Sequence, residues 1–131
     1  MLAYNCVEWL EIYAATAKAG LVVVPINFRL MGPDMAYILE NSGARALIVQ
    51  DALLGPIEEI RGGLTIQECN ILQVFGTPAA GRAGYEALLA AASDEEPAVT
   101  VAAADIWVLM YTSGTTGKPK GAMRSHGSQA L

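Results

Sequence analysis

Apolar residues fall along this chain in short groups, and the breaks between them carry as much information as the groups. Val7, Leu10, Ala14 and Ala17 recur at three- and four-residue spacing, which puts them on one face of a helix. Asn5 stands where an N-cap belongs, with Glu8 three residues later in the reciprocal capping position, and Gly20 is a natural terminator. Trp9 and Tyr13 are read as packing residues. Residues 21–26 form an apolar run suited to a buried strand with Pro25 near its end. A connection over residues 27–30 leads to a second helix that starts at Gly32-Pro33-Asp34, with proline at the first helical position. Met35, Ile38 and Leu39 are its apolar stripe and Gly43 closes it. The alternation continues with a strand over 45–50, a helix over 51–60 weakened by Gly55-Pro56, and a turn at Gly62-Gly63. A strand over 70–75, a helix over 85–92, a solvated acidic loop at 93–97 and a strand over 106–110 follow. Strands alternating with helices predict an α/β fold, a partial and mostly parallel sheet with flanking helices, in which ligands bind beyond the carboxyl ends of strands. No tandem repeat or interdomain linker stands out.

Composition narrows the function. The chain has 131 residues, 53% of them hydrophobic and 16% charged, which suits one domain with a real core and excludes a disordered segment. No apolar run is long enough to cross a bilayer, and the first residues carry Glu8 and Glu11 without a basic stretch, which argues against a signal peptide. Cys6 and Cys69 lack metal-ligand spacing and read as buried free thiols of a reducing compartment, so a cytoplasmic location is expected. A net charge of −5 argues against nonspecific nucleic-acid binding. The distribution of charge says more than its sum. Asp105 is the last carboxylate, and from Ile106 to Leu131 only Lys118, Lys120 and Arg124 are charged.

That acid-free segment contains Tyr111-Thr112-Ser113-Gly114-Thr115-Thr116-Gly117-Lys118-Pro119-Lys120-Gly121, directly after the last apolar strand. Glycine lets a ligand approach the backbone closely, so successive N–H groups can converge on one anion. Ser113, Thr115 and Thr116 add hydroxyl donors that also serve as metal ligands, and Lys118 and Lys120 supply the opposite charge. On chemical grounds this is a polyphosphate cradle. A solvated connection between two strands is the plainer alternative, since the same residue types build ordinary turns. The loop is not a Walker A loop: Thr112 stands where that motif needs its first glycine, and Pro119 follows Lys118 where it needs Ser or Thr. Proline biases Lys118 towards extended backbone, so the loop leads into a further strand or turn.

The Ser/Thr/Gly run with Lys-Pro-Lys-Gly, followed by Ser125-His126, resembles the phosphate loop of the adenylate-forming (AMP-dependent synthetase/ligase) superfamily. The likeness extends upstream. The segment from Asn5 through Lys18-Ala19-Gly20 to Pro25-Ile26-Asn27, and then Tyr37 to Ala44, is similar to the acyl-CoA synthetase branch. It is weakest over about residues 53–104, and Gly32 departs from the family's usual Thr or Ser before proline. The Val-rich run and residues 27–30 favour fatty or aryl acyl-CoA ligases over peptide-synthetase adenylation domains.

The resemblance implies an acid–thiol ligase. A carboxylate attacks the α-phosphate of ATP, pyrophosphate leaves, and coenzyme A takes the acyl group from the adenylate. Thr112, Ser113, Gly114, Thr115, Thr116, Gly117, Lys118 and Lys120 would bind nucleotide, Thr115 would offer its hydroxyl to Mg²⁺, and Lys118 would contact the leaving pyrophosphate as the catalytic residue. The partners expected are a carboxylic acid, ATP and CoA, with no nucleic acid. His126, the sole histidine, is favoured as a residue that caps or orients the next helix over a direct substrate contact. Family enzymes are several times longer. The chain lacks their later acidic metal ligand, adenine motif, ribose aspartate, hinge and C-terminal domain, so residues 1–131 read as part of the large N-terminal domain and as inactive alone. A stand-alone nucleotide- or phosphate-binding module, or a remnant without function, is the alternative.

Overall fold

The computed structural model describes residues 1–112 and 117–129. In chain order its elements are α1 (Glu8–Ala19), α2 (Gly32–Asn41), β1 (Leu47–Gln50), α3 (Leu54–Ile60), β2 (Ile71–Val74), β3 (Ala83–Gly84), α4 (Tyr85–Ala91), β4 (Ile106–Thr112) and β5 (Lys120–Ser125), with short 3-10 turns between some of them. They gather into two compact units, each built from separated stretches of chain.

The first unit comprises Met1–Tyr4 and Ile26–Ser93. Its sheet has the order β1-β2-β3, all parallel, with Leu47 opposite Ile71 and Gln50 opposite Val74. Leu2 extends the far edge of β1 by donating to the Ile48 carbonyl (2.8 Å) and accepting from the Gln50 N–H (2.9 Å). Alternation along β1 buries Leu47 and Val49. They close over Met35 and Ile38 of α2, Ile57 of α3, and Ile71 and Val74 of β2, all of them inaccessible to solvent. Each such side chain contributes roughly 1.5–3 kcal/mol by leaving water. Beyond β2, Phe75 turns the chain through the left-handed region at φ 64°, where a bulky residue is an outlier. The buried Gln73 side chain holds that turn by donating from Nε2 to the carbonyls of Phe75 (3.0 Å) and Thr77 (3.2 Å). At the unit's surface the nearly inaccessible Arg82 guanidinium pairs with Glu58 (2.6 Å) and Glu68, and Glu68 also accepts from Arg61 (2.7 Å).

The second unit comprises Asn5–Pro25 and Asp94–Leu131. Helix α1 ends as expected at Gly20, whose φ of 64° is left-handed and whose N–H reaches the Thr16 carbonyl. Its start and its buried face differ from the sequence expectation. Val7 is the N-cap, and no side chain caps the helix, so the Asn5–Glu8 capping box does not form. Val7 and Leu10 face solvent at 62% and 71% exposure, while Glu8 and Ile12 are buried. The reason is that Tyr13 and Thr16 pack on Trp107 of β4, which turns the inward face of α1 away from the Val7–Leu10 stripe. Residues 21–26 are not a buried strand. Only Val23 bridges, in parallel, to Val108, and Leu21 and Val22 are exposed. β4 and β5 form an antiparallel hairpin, from Thr112 opposite Lys120 to Ile106 opposite Ser125. The strand that leads into the phosphate-loop motif therefore pairs antiparallel, outside the parallel sheet.

Candidate functional site

The hairpin's registry places the motif's flanks. Thr112 and Lys120 pair across its neck, both exposed. Ser113, Gly114, Thr115 and Thr116 lie outside the described residues. Gly117 has φ 107°, a conformation L side chains rarely adopt, and none of the described residues comes within 4 Å of its Cβ position. The demand for glycine there is one of backbone conformation. Lys118 is exposed, and Pro119 then delivers the chain into β5, the strand that was one of the two continuations expected from proline at that place.

Along β5 side chains alternate between faces, so Lys120 and Arg124 share the face that Thr112 also occupies. The opposite face is shaped by Gly121. A Cβ there would stand 2.9 Å from Leu109 Cδ1 and 3.3 Å from Tyr111 Cζ, which shows that both side chains lie directly over the glycine. A glycine within a strand signals such a close approach, and this is the sequence signal that marks Tyr111 as part of the hairpin's neck. Asp105, the last carboxylate, sits at the other end of the hairpin and is occupied by the Ala102 N–H, which it accepts at 2.8 Å. From Ile106 onward the charged side chains are thus Lys118, Lys120 and Arg124, all positive.

His126 lies at the far end of the hairpin from the motif. Its ring stacks on Trp107 with centroids 5.5 Å apart and planes 21° from parallel, and its backbone N–H donates to the Asp105 carbonyl at 3.0 Å. The short 3-10 turn that follows is capped by Ser125, whose Oγ accepts from the Ser128 N–H. His126 therefore orients this corner without capping it. Trp107 was not singled out by sequence, because nothing in an apolar strand distinguishes a Trp that packs on a neighbour from one that organises a corner. Apart from the hairpin, α1 and Pro25 border an open groove of about 410 Å³ lined by Asn5, Cys6, Trp9, Leu10, Tyr13 and Pro25. It has no charged lining and cannot neutralise a triphosphate. The Cys6 thiol is pushed up by burial and by the Glu8 carboxylate, away from the reactive thiolate.

Over residues 1–130 the sequence matches the family described as AMP-binding enzyme. It is 36% identical over 130 residues to an indoleacetate–CoA ligase from Aromatoleum aromaticum, covering 98% of this chain and 25% of the relative. It is 37% identical over 128 residues to the long-chain-fatty-acid–CoA ligase FadD13 of Mycobacterium tuberculosis, covering 98% of this chain and 24% of the relative. The fold is similar to a crystal structure of the anthranilate CoA ligase AuaEII in complex with anthranoyl-AMP, with TM-score 0.89 and 34% identity over 95% of this chain and 24% of that one. The chain thus spans about a quarter of the length of the relatives it matches. Motif, hairpin and likeness agree that the chain belongs to the AMP-binding enzyme family, in its acyl-CoA synthetase branch.

Proposed function

We propose that this chain is the phosphate-loop segment of the large N-terminal domain of an ATP-dependent acyl-CoA synthetase. The observation that carries the proposal is the neck of the hairpin. A Ser/Thr/Gly run emerges between paired Thr112 and Lys120, passes through a left-handed Gly117, and returns along a strand whose only charges are positive. In this reading the N–H groups and hydroxyls of residues 112–117 wrap the β- and γ-phosphates of ATP. Lys118 neutralises the charge that develops on pyrophosphate as a carboxylate attacks the α-phosphate and the bond to the leaving group breaks. Lys120 holds the triphosphate at the neck. Positioning and charge neutralisation supply most of the acceleration in such a transfer. The Thr115 hydroxyl would help to hold Mg²⁺, an ion that takes few protein ligands and prefers substrate phosphates. When bound it would lower the negative charge the loop must offset. The acyl acceptor is CoA, and the acid is of the aryl or fatty class, in keeping with the names of the relatives. The remaining machinery would come from sequence beyond these residues, so the chain alone should not exchange pyrophosphate into ATP.

Calorimetric titration of the chain with MgATP tests the loop directly. Binding should be measurable, and Lys118→Ala should weaken it by roughly tenfold or more, the worth of one charge-assisted contact. A folded chain that does not bind MgATP would sink the proposal.

A further inference from the structure

Trp107 is the extra residue of a bulge. Ile106 faces Ser125 and Val108 faces Arg124, so Trp107 has no partner across the hairpin. Bulges re-aim side chains, and this one places the indole between two parts of the unit. On one side its Nε1 donates to Thr16 Oγ1 at 3.3 Å, and its ring meets Tyr13 edge-on with centroids 5.8 Å apart. Its carbonyl accepts from the Val23 N–H at 2.8 Å. On the other side lies the His126 ring, on the residue that leaves β5. The same corner is tied by backbone, His126 N–H to Asp105 and Gly127 N–H to Ala103 at 2.8 Å. The strand entering the hairpin is thereby anchored to α1, and the strand leaving it is anchored to the first.

We propose that His126 is a positioning residue for the phosphate loop: its ring, stacked on Trp107, clasps the open end of the β4–β5 hairpin and so holds Thr112 and Lys120 in register at the other end. The inference rests on the reading of that loop given above. One detail specifies which property of the histidine matters. Nε2 is buried and has no hydrogen-bond partner among the described residues. That edge of the imidazole therefore contributes no bond, and the flat ring does the holding. A phenyl ring can replace it, and does so without burying an unpaired nitrogen.

The test compares His126→Ala and His126→Phe in the full chain, by calorimetric titration with MgATP and by amide hydrogen exchange across the hairpin. His126→Ala should weaken MgATP by roughly two- to tenfold, the span of aromatic-pair couplings, and should speed exchange in β4 and β5. His126→Phe should recover most of both losses. Arg82→Met, which loosens the other unit, should leave MgATP affinity unchanged and so separates positioning from a general loss of stability. Wild-type affinity in His126→Ala would overturn the clasp. So would failure of the phenyl ring to rescue in a protein that unfolds at the wild-type temperature, since that result assigns the role to a nitrogen. If the wild-type chain itself binds no MgATP, the loop reading falls and the positioning role with it. Hydrogen exchange would then show whether the stack remains as a purely structural contact.

Discussion

Gly121 shows how a single missing side chain shapes the neck of the candidate site. Leu109 and Tyr111 occupy the space a Cβ would need, with the closest atom 2.9 Å away. The Leu109 methyl can yield by rotation, but the Tyr111 ring is rigid, so an added methyl should be accommodated by displacing the ring from the strand. Gly121→Ala is expected to cost about 1–3 kcal/mol, the usual range for overpacking, and to weaken MgATP as the neck widens. Thermal unfolding together with titration checks this. A variant with unchanged melting and unchanged affinity would show that the ring is free to move. Gly117 makes a different demand. No described residue crowds it, and its φ of 107° is what disfavours other residues.

Among the elements, the ion cluster of α3 and the turns around it responds to pH. Hydrogen bonds from Arg61, and then from Arg82, hold the Glu68 carboxyl below the usual carboxylate range. Burial works against the charge on Arg82, but Glu58 and Glu68 outweigh it and raise its value. A carboxylate with a lowered folded value stabilises the fold at and above its ordinary range, and that contribution disappears as pH falls through the folded value. Glu68→Gln should therefore lower the melting temperature at pH 7 and flatten its decline below about pH 4.5, relative to wild type. Melting curves recorded from pH 7 to about pH 3 would show it, and parallel curves for the two proteins would contradict it. This cluster was not legible in the sequence, because Glu58, Arg61, Glu68 and Arg82 are brought together only by the folding of α3 against the turns before β2 and β3. The elements that were legible carry local signals. Pro33 opens α2, Gly20 ends α1, and a short apolar run marks β1. The inward face of α1 was misread because two stripes compete on it, and only the tertiary partner Trp107 selects between them. The phosphate motif was legible through its residue order, while the antiparallel pairing of its strand was not, since a parallel and an antiparallel strand have the same local pattern.

At the scale of the molecule, the second unit exposes a good deal of apolar surface. Val7, Leu10, Leu21, Val22 and Met123 are each about half exposed or more, and among the described residues β5 pairs only with β4. An unpaired strand edge beside exposed apolar side chains is a template for self-association. Sedimentation velocity should show concentration-dependent association of the chain, and Met123→Lys should reduce it. Equal behaviour of the two proteins would place the sticky surface elsewhere. The interleaving of the two units also has a consequence for synthesis. Helix α1 emerges early, yet the strand it packs on, β4, is translated only after the whole of the first unit. At ordinary elongation rates that delay is roughly 4–20 seconds. Throughout it Tyr13 and Thr16 lack the indole they meet in the folded unit, so α1 cannot complete its packing until Trp107 has left the ribosome.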